Sequence, residues 1–514
     1  MFDRIEKNVV FGIVSLYDFE NNAVRILAAL TRAQGFKAVE IYFKDWKNNY
    51  FEPPTEVEIN NLLAIIKEQG INLLGFSVRA TAYHNVAAQL TRAVKNKFDI
   101  PVIWGGTHVL LSPDMCIESA DALCVSEGEV AMLELFRRIK AGESLKETPG
   151  LWVNEKGETL KNPMKNLCED LDTLPFRDYS SSDKYVVFGR KIRQEDPMVI
   201  DPVYRMMCSR GCPFNCAYCY NSAIVTIYKD KGRYHRIRSV DSVLSELNSS
   251  RKSFKNLKRI RFDDEVFIFQ DQWVDEFCER YPREIGLPFE IFTEPKLVKF
   301  PYMEKLRKAG LDVVYMGVQN SYRITKELYD RHTAEDTILG AGRIFHDLGI
   351  DARYQIIVDD PLSNEEDRET LFELLTRIPR PYELYLFSLT VFPNTTLASK
   401  LLQEGLISEK DVEGISAQKT FKQMRVSLNY PRPPNETFWV SILVLISKNF
   451  IPLWLIKSLA KNKFLMHHPQ PLVIFAQVSN VLKMAVVVMR MIARGEFTLT
   501  LLRRWTNFRS LITQ

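Results

Sequence analysis

A chain of 514 residues exceeds one ordinary domain and is expected to fold as two or three. Its 46% hydrophobic and 26% charged residues are those of a globular protein with ample core and exclude a disordered chain. The formal charge of +4 is unevenly placed: from Pro431 onward eleven Lys and Arg face two Glu, a local +9 that leaves −5 elsewhere, so an anionic partner such as a membrane surface or nucleic acid is suggested.

The first residues, MFDRIEKNVVFGIVSL, carry acids among their bases and no small-residue cleavage site follows, so they are not read as a signal peptide. Residues 1–150 alternate short apolar runs with helical patterns. VVFGIVSL, AVEIYF, INLLGFSV, IPVIWGG and ALCV read as strands; residues 22–34, 55–69, 83–97 and the segment EVAMLELFRRIKAG read as helices. Near-continuous apolar strands alternating with helices predict a doubly wound, Rossmann-like parallel sheet. Its ligands would sit past the carboxyl ends of the strands, where Ser77, Gly105, Gly106 and Ser126 fall. Residues 151–200 read as a linker, with a hairpin at PGLWVNEKGE and a polar, turn-rich stretch DTLPFRDYSSSD.

In residues 201–400 the alternation resumes, with strands expected at 203–207, 258–262, 289–293, 312–317, 352–358 and 383–389. Six βα units predict a partial (β/α)6 barrel of the TIM type. The strand ends are polar: the cysteine loop follows the first, Asp263 and Asp264 the second, Thr293 and Glu294 the third, Gln319, Asn320 and Ser321 the fourth, Asp359 and Asp360 the fifth. One polar strand end means little. Five in register with a cysteine cluster, on the face where barrels build active sites, mean more.

Residues 401–514 form a mainly helical, basic C-terminal region, entered through PRPP at 431–434. Phe475, Val478, Leu482, Ala485, Met489 and Ile492 share one helical face; Lys483, Arg490 and Arg494 share another. The longest uncharged run, 464–482, holds His467, His468 and two prolines, so no window is expected to cross a membrane. A basic, apolar tail is expected instead to lie on a membrane surface.

Half of the eight cysteines fall in CSRGCPFNCAYCY, Cys208 to Tyr220. Clustered cysteines without a secretory signal point to a reducing, cytoplasmic compartment and to a metal or redox role. Cys212, Cys216 and Cys219 are spaced C-x3-C-x2-C, and three thiolates in one loop can hold three corners of an iron–sulfur cube while leaving the fourth iron open. Adding Cys208 would give a closed zinc site, but zinc knuckles usually come as separated pairs and no second pair follows. Cys208 is expected in the strand core as a small apolar side chain.

GCPFNCAYC resembles the signature of the radical SAM superfamily, with Tyr218 as the aromatic before the third cysteine. The resemblance implies that Cys212, Cys216 and Cys219 hold a 4Fe–4S cluster, which binds S-adenosylmethionine (SAM) and cleaves it reductively to a 5′-deoxyadenosyl radical. RIRFDDEVF resembles the family's second-strand segment and gives Asp263 and Asp264 SAM-facing roles. MGVQNSYRITKELYDRHT is similar to the fourth-strand segment usually written G-I-E-S-G-S, with Gln319 where Glu is common and Ser321 matching. YQIIVDDPLSNEED and FPNTTL resemble the fifth strand and the close of the barrel.

Residues 75–116 with SEGEVAMLELFRRI resemble the cobalamin-binding domain fused to one radical SAM subgroup, at Ser77, Gly105, Gly106, His108, Glu127, Gly128 and Glu129. The first loop, LYDFENNAV, lacks the ligand His of cobalamin-dependent mutases, so no cobalt-ligating His is expected there. His108 either lines the corrin pocket or is a turn histidine; His84 and His346 read as structural, His467 and His468 lack a third metal partner, and Cys116, Cys124, Cys168 and Cys278 read as isolated thiols. The resemblance implies a cobalamin-dependent radical SAM enzyme that C-methylates a small-molecule or lipid-like substrate, served by an external flavodoxin- or ferredoxin-type electron donor. Cyclisation, rearrangement or oxidation without methyl transfer is the alternative, and a non-catalytic iron–sulfur sensor is the alternative of another class. Nucleic acid is not an expected partner, because no second cysteine triad or basic β-barrel module accompanies the first. The expected location is the cytoplasm, at the inner membrane surface if the tail engages it.

Overall fold

Strands buried on both faces can carry almost no polar positions, and the apolar runs of the N-terminal third meet that condition. The computed structural model describes residues 8–45, 52–155, 157–180, 182–413 and 426–493. It places β1 (Val10–Leu16), β2 (Lys37–Phe43), β3 (Leu73–Ser77), β4 (Val102–Gly105), β5 (Ala122–Cys124), β6 (Leu151–Glu155), β7 (Glu158–Lys161), β8 (Lys184–Phe188) and β9 (Lys191–Gln194) in one sheet, ordered β7-β6-β5-β4-β3-β1-β2-β8-β9. The inner strands β1 to β5 and β8 run parallel, Val10 facing Lys37 and Phe11 facing Leu73 across β1. β6, β7 and β9 pair antiparallel.

The stretch expected to act as a linker thus supplies two strands to each edge of this sheet. Lys184, buried in β8, donates to the backbone carbonyl of Asp178 at 2.7 Å and lies 3.4 Å from Asp196. Asp196 also pairs with the buried Arg25 at 2.5 Å. These paired charges let a polar segment be covered.

The helix Asn22–Ala33 starts where the Asn21 side chain accepts the Val24 N–H, and the helix Glu56–Gln69 starts at a Thr55–Glu58 capping box. Val24 and Ala28 of the first join Phe11, Ile13, Met132, Leu135 and Phe136 in a buried core. Each large side chain there contributes about 1.5–3 kcal/mol by leaving water.

The second sheet takes its strands in chain order. β10 (Val203–Met206) is followed by a separate short pair, β11 (Ser209–Arg210) and β12 (Arg236–Ile237); then come β13 (Arg259–Phe262), β14 (Phe289–Thr293), β15 (Leu311–Gln319), β16 (Asp351–Val358) and β17 (Glu383–Ser388). The order β10-β13-β14-β15-β16-β17, with β10–β13, β15–β16 and β16–β17 parallel and helices between, matches the six expected βα units.

The protein condenses into two compact units. One holds the nine-stranded sheet, β10 to β13 and the segment from Val391; the other holds residues 290–390 and the C-terminal helices. In the latter, helix Pro434–Ile446 is largely buried from Phe438 onward and packs against helix Gln470–Ala493. The stretch 470–489 is long and apolar enough to cross a membrane, against the sequence expectation. The two prolines fall at the helix start, where no backbone N–H is missed, and Lys483, the charge that ended the uncharged run, pairs with Glu383 at 2.5 Å. Phe475, Val478, Leu482, Met489 and Ile492, placed on one helical face by the sequence, are exposed. Arg494 lies outside the described residues.

Candidate active site

β10 ends at Met206, and the cysteine loop begins by being tied down. Asp264, just past β13, accepts hydrogen bonds from the backbone N–H of Cys208 at 3.1 Å and of Ser209 at 2.6 Å, and from the Ser209 hydroxyl at 2.5 Å. β11 then pairs antiparallel with β12, Ser209 opposite Ile237, which closes residues 211–235 into a loop. Gly211 has φ +81°, and a Cβ there would lie 2.5 Å from the Tyr234 carbonyl oxygen, so the loop starts at a glycine by necessity.

Inside the loop, the Cys219 N–H donates to the Cys216 carbonyl at 3.0 Å, and the Cys219 carbonyl accepts from the Ser222 N–H and hydroxyl. The Asn221 amide donates to the Cys219 sulfur at 3.7 Å and accepts from the Tyr234 hydroxyl at 2.5 Å. Burial pushes the Cys219 thiol up to about 12, and Cys216 and Cys212 are among the groups that act on it. Cys208 is 0% exposed, its thiol is pushed up by burial, and its charged neighbours are Asp264, Arg238, Glu246 and Arg177. The donor set is therefore three part-exposed thiols on one pinned loop, with Cys208 in the core. That set fits a cube with an open corner, not a four-thiol zinc knot. None of the eight cysteines forms a disulfide.

Other loops of the same unit buttress this one. Tyr220 donates to Glu265 at 2.6 Å and packs edge-on against Phe392, and the Leu397 N–H donates to the Ala217 carbonyl at 3.0 Å. The FPNTTL segment thus closes over the cysteine loop. Tyr218 is half-exposed within it.

A cavity of about 420 Å³ opens at the carboxyl ends of β3, β4 and β5, beside Phe11 and Ile13 of β1, and Met207, Ser209, Arg210 and Gly211 of the cysteine loop line it as well. Its floor is Phe11, Ile13, Leu27, Ile103 and Met132; its rim carries Ser77, Ser126 and Glu127. Glycines keep it open. A Cβ on Gly75 would meet the Phe11 ring at 2.9 Å, and Gly106, at φ +106°, would place one 2.9 Å from the Val78 carbonyl oxygen. Gly105 lines the wall, and Gly128 starts the helix Gly128–Ala141. An apolar cleft beneath a polar rim, at the end of a parallel sheet, fits the aromatic base that ends the nucleotide tail of cobalamin, with the polar part of the tail at the rim.

Of the sequence-selected residues, Ser77, Gly105, Gly106, Glu127 and Gly128 converge on this cavity. The Ser77 oxygen accepts from Asn21 at 2.9 Å. Glu127 is already engaged: it takes Arg236 at 2.7 and 2.9 Å, Arg210 at 3.3 Å and the Cys168 N–H at 2.8 Å. Burial alone would raise its carboxyl, but the two guanidiniums outweigh it and hold the carboxyl below its ordinary range. Glu129 takes Arg210 at 2.5 Å. His108 does not line the cavity; it is buried and faces His84.

Asp264, selected as SAM-facing, turns into the loop backbone instead, because two consecutive N–H groups at the strand end need an acceptor. Asp263 pairs with Arg261 at 2.7 Å. In the other unit, Ser321 caps the helix Tyr322–Glu327 by accepting the Ile324 N–H and donates to Asp367 at 2.8 Å, which engages the hydroxyl locally. Gln319 is buried at φ +73°, a strained conformation for a non-glycine residue, at a bulge in β15. The sequence reading missed Glu265, Asn221 and the Arg210–Arg236 pair. Glu265 follows the selected Asp pair directly, so its position beside them was the available signal.

Residues 206–375 match the Radical SAM superfamily, and residues 8–136 match the B12 binding domain. An uncharacterised methyltransferase of Pyrococcus horikoshii is 24% identical over 362 residues, which is 68% of this chain and 74% of that protein. The anaerobic magnesium-protoporphyrin IX monomethyl ester cyclase of Rubrivivax gelatinosus is 26% identical over 363 residues, 68% of this chain and 60% of that protein. The fold is shared with the cobalamin-dependent SAM radical enzyme OxsB, solved with aqua-cobalamin and SAM bound, at a TM-score of 0.63 and 16% identity over 98% of this chain and 75% of that one. The chain belongs to the radical SAM superfamily, in the group that carries a B12-binding domain, and its cofactors are a 4Fe–4S cluster, SAM and cobalamin.

Proposed function

We propose that the protein methylates an unactivated carbon of a small-molecule or lipid-like substrate. The observation that carries this reading is the sharing of one wall: the residues that open the cysteine loop, Ser209 to Gly211, also line the cavity of the N-terminal sheet. When bound, the cluster and SAM supply a 5′-deoxyadenosyl radical and cobalamin supplies a methyl group. The protein's own part is to hold and to shield. Cys212, Cys216 and Cys219 would hold the cluster, with the Asn221 amide fixing the Cys219 sulfur. Ser77, at the rim, has a hydroxyl proton to donate to a polar cofactor edge. Phe11, Ile13, Ile103 and Met132 keep the floor dry. The methyltransferase name of the Pyrococcus relative supports methyl transfer. The cyclase name of the Rubrivivax relative supports a second reading, oxidative cyclisation by the same cofactors.

The electron donor in this reading is a low-potential flavodoxin or ferredoxin. The C-terminal helices serve to dock the enzyme on a lipid surface, from which an apolar substrate would be drawn. Among the described residues, most of the exposed large apolar side chains lie between Phe450 and Ile492.

Anaerobic reconstitution with iron, sulfide and cobalamin, followed by mass spectrometry of the SAM products, tests the reaction. Methyl transfer yields S-adenosylhomocysteine together with 5′-deoxyadenosine; cyclisation yields 5′-deoxyadenosine alone. Changing any of Cys212, Cys216 or Cys219 to Ala is expected to drop 5′-deoxyadenosine to background, whereas Cys208→Ala keeps it within about threefold. Equal loss in all four variants would restore a four-cysteine site.

A further inference from the structure

Two histidines that sequence treated separately, and a cysteine read as isolated, meet in space. His84 opens the helix His84–Lys95 after β3, His108 lies in the short helix Thr107–Leu111 after β4, and Cys116 ends the helix Pro113–Cys116. β3 and β4 are parallel neighbours, so their following loops emerge side by side at the same end of the sheet. We propose that His84, His108 and Cys116 form a second metal site, for a zinc-type divalent ion, behind the wall of the cobalamin cavity.

Geometry favours it. His84 Nδ1 and His108 Nε2 are 3.2 Å apart, the Cys116 sulfur is 3.8 Å from His84 Nδ1, and the three ligand atoms all lie within 4.8 Å of one another. Tetrahedral zinc, with Zn–N about 2.0–2.1 Å and Zn–S about 2.3 Å, needs N···N edges of about 3.3 Å and N···S edges of about 3.6 Å. The two measured edges agree to a few tenths of an ångström before any ion draws them in. A plain His84–His108 hydrogen bond accounts for one contact only. A second contact joins the Cys116 sulfur to His84 Nδ1, and the remaining edge, His108 Nε2 to the Cys116 sulfur, lies within 4.8 Å, so an incoming ion would have to draw these two together.

The surroundings favour it too. His108 is 1% exposed and its Nδ1 has no hydrogen-bond partner; Cys116 is 0% exposed. The His84 ring is set edge-on against both Trp104 and His108. Cys116 would ligate as the thiolate, its proton leaving as the ion enters. The set His2Cys leaves a fourth position open.

None of the three residues lines the cavity, yet Gly105, Gly106, Thr107 and Leu110 do. An ion at His108 would therefore brace the loop that forms the cavity wall against the neighbouring helix. This consequence rests on the cobalamin reading; the site itself does not.

Two measurements test it. The full-length, anaerobically reconstituted holoenzyme is dialysed with zinc and then analysed for zinc and iron. One zinc per protein molecule is expected beside the cluster iron, with Cys116→Ser and His108→Ala each losing at least nine-tenths of the zinc and keeping the iron. Zinc under about a tenth of an equivalent in the folded wild-type protein would overturn the proposal. Separately, cobalt(II) is added to the full-length protein with Cys212, Cys216 and Cys219 changed to Ala, so that no cluster thiol competes. The expected spectrum shows tetrahedral d–d bands and a thiolate-to-cobalt band that His84→Asn weakens and Cys116→Ser abolishes. A spectrum without the thiolate band in the parent protein would also overturn it. Because cobalamin is absent from that second measurement, failure of the cobalamin reading would leave its result unchanged.

Discussion

The Asp264 carboxylate, 1% exposed, receives three hydrogen bonds from Cys208 and Ser209 where β10 passes into the cysteine loop. Burial pushes its carboxyl up to about 7, against the pull of the Ser209 and Cys208 donors. A carboxyl raised from its ordinary 3.8 to about 7 binds its proton more tightly folded than unfolded. Its contribution to stability is thus full below about pH 4 and is lost as the pH climbs to about 7, above which it is flat. Asp264→Asn has nothing to titrate. The urea midpoint of the wild-type apo protein is expected to fall relative to that of Asp264→Asn between pH 5 and 7, then hold parallel to pH 8; a constant difference across the range would show that Asp264 keeps an ordinary pKa. Asp264→Ala, which strands two buried N–H groups, is expected to cost about 2–4 kcal/mol at pH 7 and to lower the iron bound on reconstitution.

The β11–β12 pair is the element that joins sheet end to cysteine loop within the first unit. Arg210 and Arg236 stand opposite each other across it and reach Glu127 and Glu129, which flank the start of the helix Gly128–Ala141. Arg236 is buried and forks onto both oxygens of Glu127 while also donating to the Cys168 carbonyl at 2.7 Å. Removing one partner of such a buried pair leaves the other charge poorly compensated, at about 3–5 kcal/mol. Arg236→Ala is expected to lose stability of that order in urea denaturation and to weaken cobalamin binding by at least tenfold in a titration followed by absorbance. Arg236→Lys should recover little, since one ammonium cannot reproduce the fork. Wild-type stability in Arg236→Ala would mean that Arg210 alone satisfies Glu127.

Over the whole molecule, charge and apolar exposure concentrate together near the C-terminal end. Trp454 is 72% and Phe464 67% exposed, with Lys457, Lys461 and Lys463 exposed beside them in sequence. Inserting one large apolar side chain below the headgroups is worth about 1.5–3 kcal/mol, and each lysine near anionic lipid about 1 kcal/mol. Full-length protein is expected to co-sediment with phosphatidylserine vesicles more than with neutral ones, and less at high salt. Trp454→Glu with Phe464→Glu, at sites too exposed to threaten folding, should weaken that binding at least tenfold. Equal sedimentation of wild-type and double variant would remove the lipid-docking role from these helices.

Periodicity and spacing alone determined the parallel sheet, the six βα units and the three-thiol loop. VFGIVSL or KAVEIYF has too few polar positions to face water on either side, and C-x3-C-x2-C brings thiols together within a single turn-rich segment whatever surrounds it. Such local patterns carry their meaning with them. What each strand-end residue does was decided by tertiary structure, because its partner is far away in sequence. Asp264 meets Ser209 across 55 positions and Glu127 meets Arg236 across 109, so residues with ligand-like identities turned out to hold the scaffold. The stretch 151–200 looked like a linker because edge strands are short and only half-apolar; pairing with β5 and with β2 makes them sheet. The helix from Gln470 became long enough to span a bilayer once its prolines fell at the first turn and Lys483 found Glu383. His84, His108 and Cys116 converge only because β3 and β4 lie side by side, and adjacency of strands is a property of the folded sheet that no spacing along the sequence encodes.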